Sequence, residues 1–289
     1  MHSAKNFACS NDRIWLAIVT EERKKPEISE PTTFVPTEDL PSDNRIYALI
    51  PARWDSSRFP GKPLHLIAGK PLVQHVWERC REAKGLSGIV IATDDDRIAE
   101  VARGFGAEVC MTASDHPSGT DRIAEAAEKL EDATHVINVQ GDEPMIDPGL
   151  IGALATKMAG DEKIEMITAA NEISKDGDLQ DPNVVKVVLN QRGEALYFSR
   201  SVIPYQRKCV PGLKHYRHKG IYGFTREFLL KFVRWAPSPL ELTEQLEQLR
   251  ALDNGARIHV VLTDDDSIGV DVPEQAEIVT NLILTNNQP

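Results

Sequence analysis

Apolar and polar positions along most of the chain alternate between two rhythms. Short apolar runs of strand length are separated by stretches with helical spacing. The first run covers residues 46–50 and is closed by Pro51, which cannot continue a hydrogen-bonded ladder. Residues 71–84 then carry Leu72, Val73, Val76, Trp77 and Cys80 on one helical face, with Pro71 in the first turn. Residues 88–93 predict a second buried strand. Residues 95–105 predict a helix turning Ile98, Val101, Ala102 and Phe105 inward, and residues 108–112 a third strand. A helix over 121–130 presents Ile123, Ala126, Ala127 and Leu130; a strand follows at 135–139 and another helix at 149–158. Repeated βα units with short connections predict an α/β fold built on a doubly wound, mostly parallel sheet.

The rhythm changes after residue 164. Residues 165–173 and 184–189 read as extended, Asn190-Gln191-Arg192-Gly193 as a turn and 194–200 as the returning strand of a β-hairpin. Residues 218–224 predict another strand, followed by a helix to Trp235. Ser238 then caps a helix carrying Leu240, Leu246, Leu249 and Leu252 and ended by Gly255. A strand at 257–262 and a helix at 273–284, opened by Pro273, complete the pattern. Gly-Lys-Pro-Leu occurs at 61 and again at 69, with no longer repeat, so the chain is not a solenoid.

Residues 1–44 fall outside this pattern. Glu21 to Pro41 holds clustered charge and four of the 18 prolines, and the one apolar stretch, 14–19, is too short for a secretory core. The segment predicts a disordered extension, with residues 45–289 as the folded domain. No methionine lies between Met1 and Met111, so no internal methionine start precedes the strand at 46.

Composition narrows the function. A net charge of −11 argues against non-specific binding to nucleic acid or to an anionic membrane. No stretch approaches the roughly 20 apolar residues of a membrane-spanning helix. The four cysteines, at 9, 80, 110 and 209, form no C-x-x-C pair or zinc spacing, a usage that fits a reducing cytoplasm.

Against this acidic background, the loop after the first strand stands out. It carries Arg53, Arg58 and Lys62 with the hydroxyls of Ser56 and Ser57, interrupted by Pro60, Gly61 and Pro63. Cations and donors after a buried strand suit a polyphosphate at the carboxyl edge of a parallel sheet, and a solvated basic loop is the plainer alternative. It is not an ATPase P-loop: Pro63 follows Lys62 where a hydroxyl should hold the metal. Asp142, in Gln140-Gly141-Asp142-Glu143-Pro144 after the strand at 135–139, suits either a magnesium that also touches phosphate or the cap of the next helix. Asp271, in Gly269-Val270-Asp271-Val272-Pro273-Glu274, suits a helix start on residue type alone. Ser118-Gly119-Thr120-Asp121-Arg122 opens a helix with good capping residues, and Asp264-Asp265-Asp266 reads as a solvated loop.

These stretches resemble one known family. Ile50-Pro51-Ala52-Arg53 through Arg58-Phe59-Pro60-Gly61-Lys62-Pro63-Leu64 matches I-P-A-R-x-x-S-[ST]-R-[LF]-P-G-K-P-L, the amino-terminal motif of the 3-deoxy-manno-octulosonate cytidylyltransferase (CMP-Kdo synthetase) family. The family's Q-G-D-E-P, S-G-T-[DE]-R, A-L-Y-F-S-R (195–200), H-x-G-I-Y-G (218–223) and L-E-Q-L-R (246–250) are also present, and G-V-D-T-P-E differs only by Val272. The resemblance spans Ile46 to about Ile283.

It implies a CTP-dependent enzyme that activates 3-deoxy-manno-octulosonate (Kdo) as CMP-Kdo, releasing pyrophosphate, for lipopolysaccharide assembly in the cytoplasm. It implies a homodimer, with a small hairpin-containing subdomain at about 165–220 making dimer contacts. It implies Mg2+ held by Asp142 and Asp271, with Lys62 and Arg53 also catalytic. Nucleotide contacts fall to Arg53, Ser57, Arg58, Lys62, Ser118, Arg122 and Gln140. Sugar contacts fall to Arg200, His218, Tyr222, Glu247 and Gln248. Leu242 stands where the family often has histidine. The 8-amino form of the sugar or a sialic acid is the alternative acceptor, although the A-R-x-G-S-K-G of sialate enzymes is absent. A non-catalytic nucleotide-binding homologue would have lost Asp142, Asp271 or Lys62, and all three are present.

Overall fold

The computed structural model describes residues 44–55, 58–208 and 210–286. The extension expected over 1–44 (save Asn44), and Ser57 of the basic loop, lie outside the described residues. Strand β1 (Ile46–Ala52) leads through a 3-10 turn (Lys62–Leu64) to the two-stranded ribbon β2 (Leu66–Ile67) and β3 (Lys70–Pro71), and then to α1 (Leu72–Glu82). The βα alternation continues through β4 (Gly88–Thr93), α2 (Asp96–Gly104), β5 (Glu108–Met111), α3 (Gly119–Lys129), β6 (His135–Asn138) and α4 (Pro148–Ala159). Next come β7 (Met166–Glu172), a short α5 (Asp176–Gln180), the hairpin β8 (Lys186–Leu189) and β9 (Ala195–Ser199), and the long β10 (Tyr216–Thr225). The chain ends with α6 (Arg226–Phe232), α7 (Pro239–Glu244), α8 (Gln248–Asp253), β11 (Ile258–Leu262) and α9 (Pro273–Asn286).

The main sheet runs β11-β7-β10-β6-β1-β4-β5. β1 pairs parallel with β4 and β6, β4 with β5, and β7 with β11. Only β10 on this path is reversed, lying antiparallel between β6 and β7, so the mostly parallel, doubly wound expectation holds. The hairpin is not detached from the sheet. β8 pairs with the start of β10, placing Val187 opposite Tyr216.

The alternation of side chains along the strands builds a core on each face. Ile50 and Ile137 pack with Val76, Ile98 and Leu154 on the side of α1, α2 and α4. Leu49 and Val136 pack with Ile123, Ala127, Phe224 and Phe228 on the side of α3 and α6. Each fully buried Val, Leu, Ile or Phe among them contributes roughly 1.5–3 kcal/mol relative to exposure. Among the described residues no helix is long and apolar enough to cross a membrane.

The single helix expected from Ser238 to Gly255 is two helices. Gln245 takes a left-handed conformation (φ 53°, ψ 49°) between α7 and α8. The leucine spacing explains the break. Six residues at about 100° each set Leu246 about 240° round from Leu240, so the two cannot share a face. Leu240 and Leu242 are exposed, while Leu246 and Leu249 are buried. Ser238 does cap α7, in a reciprocal arrangement with Glu241.

Candidate active site

The site is assembled where β1 and β6 end. Gly141 follows β6 and passes so close to β1 that a Cβ there would lie 2.5 Å from the Pro51 carbonyl oxygen. Only glycine allows that approach, and it fixes where the next residue, Asp142, emerges. The Val270 amide donates to the Asp142 carbonyl at 2.8 Å, which joins the loop before α9 to the same point. Two aspartates 129 positions apart are thereby brought to one edge of the sheet.

Lys62 lies between them. Its Nζ is 2.7 Å from Asp142 Oδ2 and 3.6 Å from Asp271 Oδ1, and Arg58 Nη2 is 3.1 Å from the same Asp271 oxygen. The Lys62 side chain is 14 % exposed, whereas that of Asp271 is 50 % exposed, so the cluster opens to solvent on the Asp271 side. Arg53 is exposed at the end of β1 and makes no ion pair among the described residues. Two converging carboxylates repel each other unless a cation lies between them, and here an ammonium does so. Among the described residues no group of three or more His, Cys, Asp or Glu forms a self-sufficient metal cage. A pair of carboxylates supplemented by phosphate oxygens is the donor set that a small hard dication takes.

The α3 side forms a second cluster. Ser118 caps α3, its Oγ accepting from the Thr120 and Asp121 amides at 3.1 and 3.2 Å. Glu247 reaches the same turn: its Oε1 is 2.9 Å from Ser118 Oγ, and its Oε2 accepts from Thr120 Oγ1 at 2.5 Å. Burial raises the Glu247 pKa, while the two hydroxyls pull it down. Gln140 is half-buried beside Gly220 and Gly119.

Arg122, expected to touch base or ribose, is only 2 % exposed and has other partners. Its guanidinium donates to Thr112 Oγ1 at 2.6 Å and to the Ala113 carbonyl at 3.1 Å, and pairs with Asp94 at 3.3 Å. It therefore holds α3 against the neighbouring loops.

On the acceptor side, β10 brings His218 and Tyr222 together with ring centroids 5.4 Å apart, and Phe198 of β9 packs edge-on to His218. Thr168 Oγ1 is 2.9 Å from His218 Nε2 and donates its single proton to the Ile221 carbonyl at 2.7 Å. His218 Nε2 must then be the donor, which leaves Nδ1 as an acceptor. Burial, with a smaller effect from Lys219, pushes the His218 pKa down to about 3. Tyr222 is pushed up by burial and by the charge of Glu247, a sign of their proximity. Gln248 is buried and its Nε2 has no hydrogen-bond partner among the described residues.

Arg200, expected to contact the sugar, is engaged by the protein itself. Its guanidinium donates to three backbone carbonyls, those of Glu244 (2.7 Å), Pro182 (3.0 Å) and Gln245 (3.4 Å).

Several residues here escaped the sequence reading. Thr120 was seen only as a helix-start residue and Thr168 not at all. The Asp264–266 run, expected to be solvated, hides Asp265, whose side chain is 5 % exposed and lies 3.5 Å from Lys219. Glu143 is half-buried; desolvation is the main cause that pushes its pKa up to about 7, and its Oε2 has no hydrogen-bond partner among the described residues.

A cation-bearing loop, paired carboxylates at the carboxyl edge of a mostly parallel sheet and a second pocket wall from α8 and β10 define a nucleotidyl-transferring enzyme. The chain belongs to the cytidylyltransferase family, whose model matches residues 47–258. It is 49 % identical over 245 residues to the 3-deoxy-manno-octulosonate cytidylyltransferase of Geobacter metallireducens, covering 81 % of this chain and 96 % of that one. The enzyme of the same name from Solibacter usitatus is 47 % identical over 238 residues, covering 82 % and 94 %. Among solved structures, CMP:2-keto-3-deoxy-manno-octonic acid synthetase complexed with CTP superimposes with a TM-score of 0.81 at 40 % identity, over 84 % of this chain and all of that one. The 4-diphosphocytidyl-2C-methyl-D-erythritol synthase of Anaerococcus prevotii (TM-score 0.56, 11 % identity, 84 % and 97 % covered) shares the fold alone.

Proposed function

We propose that the protein transfers the cytidylyl group of CTP to Kdo, giving CMP-Kdo and pyrophosphate, the activation step for lipopolysaccharide assembly. The observation that carries this reading is the contact of one ammonium, Lys62, with both Asp142 and Asp271 at the end of the basic loop. The named relatives match nearly their full length, which supports Kdo as the acceptor.

The reaction is an in-line displacement. The anomeric hydroxyl of the sugar attacks the α-phosphorus of CTP, the new P–O bond forms, and the bond to the β-phosphate oxygen breaks to release pyrophosphate. Little covalent work falls to the protein, so positioning and charge stabilisation dominate. Arg53, Arg58 and Lys62, with Ser57, bind the phosphates, and Lys62 neutralises charge growing on the leaving group. To do so, Lys62 exchanges carboxylate partners for phosphate oxygens. Ser118 and Gln140 face the base and ribose, and Arg122 acts by fixing α3. Asp142 and Asp271 fit Mg2+, which when bound would neutralise phosphate charge and increase the nucleophilicity of the attacking hydroxyl.

His218, Tyr222, Glu247 and Gln248 bind the sugar. His218 offers its Nδ1 to a hydroxyl, and Gln248 Nε2, without a partner among the described residues, offers a donor. Arg200 shapes this side through the carbonyls it holds. We place the enzyme in the cytoplasm as a homodimer that uses the hairpin region for contact. Pyrophosphate release measured with a panel of nucleotides and acidic sugars tests the reading. Release should require CTP, Kdo and Mg2+ together. Strong release with the 8-amino sugar and none with Kdo would reassign the acceptor.

A further inference from the structure

Lys219 lies on β10 directly after the acceptor-side residue His218, but it does not face the sugar. Successive residues on a strand point to opposite faces, so its side chain leaves the sheet on the side away from His218. It is 6 % exposed. Its Nζ donates to the carbonyl and the Oγ of Ser267, both at 3.0 Å, and lies 3.5 Å from Asp265 Oδ2. Asp265 in turn accepts from the Ser267 amide and hydroxyl, each at 2.9 Å, and its own amide donates to Thr263 Oγ1 at 3.1 Å. The loop that follows β11 is thus wound round one buried ammonium.

That loop carries Asp271. Three residues beyond Ser267, the Val270 amide bonds the Asp142 carbonyl at 2.8 Å. Between them Gly269 packs on Glu143, where a Cβ would lie 3.1 Å from Oε1. The Asp271 carboxylate itself is half exposed, and its ion pairs are with Lys62 and Arg58, the cations assigned to substrate phosphate. Once these turn to phosphate, Asp271 keeps its place through its neighbours: the Val270 side chain is fully buried, the Asp271 amide donates to Gln275 Oε1 at 2.6 Å, and Lys219 supplies the buried ionic anchor at the upstream end of the loop.

We propose that Lys219, with Asp265 and Ser267, is a positioning residue that holds the loop of Asp271 in register with Asp142 and ties it to the strand carrying His218 and Tyr222. This rests on Asp271 being a metal carboxylate. A buried ion pair is a weak source of stability and can often be replaced by neutral groups of similar volume. Stability alone therefore gives no reason for a lysine here.

The test compares Lys219→Met, Lys219→Met/Asp265→Asn, Ser267→Ala and Asp271→Asn in the full chain. Three quantities are read: melting temperature, amide exchange at Val270, and Mn2+ binding by electron paramagnetic resonance with CTP present and sugar absent. The double variant removes both members of the Lys219–Asp265 pair together, so it should fold with a melting temperature near that of the parent. Its Val270 amide should exchange faster, and Mn2+ should bind about tenfold more weakly. Ser267→Ala, the mildest change, should shift both readings in the same direction. Parent-like exchange at Val270 and parent-like Mn2+ affinity in the folded variants would overturn the proposal, whatever the loss of activity. Unchanged Mn2+ affinity in Asp271→Asn would instead overturn the metal reading, and Val270 exchange would still decide whether Lys219 holds the loop.

Discussion

The carboxylate of Glu247 accepts a hydrogen bond from Thr120 Oγ1 at 2.5 Å, joining the residue that opens α8 to the first turn of α3. Ser118 Oγ lies 2.9 Å from the same carboxylate, so a residue assigned to the nucleotide and one assigned to the sugar are in direct contact. Thr120→Val keeps the shape and removes the hydroxyl, and Glu247→Gln keeps the size and removes the charge. Each should lower kcat/KM for the sugar about tenfold. A double-mutant cycle in steady-state rates should give a coupling of roughly 1 kcal/mol, within the range for contacting polar residues. Strict additivity would mean that the contact is idle in turnover.

Asp142→Asn and Asp271→Asn should fold normally, since both carboxylates are partly exposed. Each should lower turnover about a thousandfold, which is several kcal/mol of transition-state stabilisation. If the two carboxylates serve one ion, the losses should not multiply in the double variant. Rates measured across a magnesium titration decide this, and near-parent turnover by either single variant at limiting magnesium would refute the pairing.

Gly141→Ala places a methyl group 2.5 Å from the Pro51 carbonyl. Something must shift, at a cost of about 1–3 kcal/mol for forced overpacking. The piece able to shift is the loop bearing Asp142, so turnover should fall by more than stability. Thermal melts and initial rates on the same preparation separate the two effects.

His218 gives a stability signature in acid. Its folded-state pKa is pushed down from 6.5 to about 3 by burial and by Lys219. The folded protein therefore favours the neutral ring. The ring's contribution is fully present above pH 6.5 and is lost as pH falls from 6.5 toward about 3, because the unfolded chain takes up the proton first. Between pH 7 and 5 the melting temperature should fall, and it should fall less steeply in His218→Gln. Parallel curves for the two proteins would show that the ring protonates freely in the fold.

Much of this site is legible in the chain because its determinants are local. Asp142 can be placed from the apolar strand before it and the glycine beside it, and Ser118 reads as a cap on residue type. What is not legible is where long side chains find their partners. Arg122 and Arg200 advertise charge, yet the threonine, aspartate and carbonyl groups that occupy them come from residues brought near only by folding. Asp265 looks no different from Asp264 and Asp266 until β10 delivers Lys219 beside it. The four leucines at 240, 246, 249 and 252 suggest one stripe, although the six-residue gap after Leu240 contradicts it and the chain breaks at Gln245.

The reversal of β10 bears on how the polypeptide is made. Both neighbours of β10, β6 and β7, precede it in the chain, and the other partner of β7, β11, comes later still. A nascent chain that has emerged only as far as residue 215 therefore presents an open edge on β6, whose residues are all buried in the finished protein, and two open edges on β7. Unpaired apolar edges are templates for association with other chains. Ribosome stalling or truncation between β7 and β10 should thus yield insoluble product.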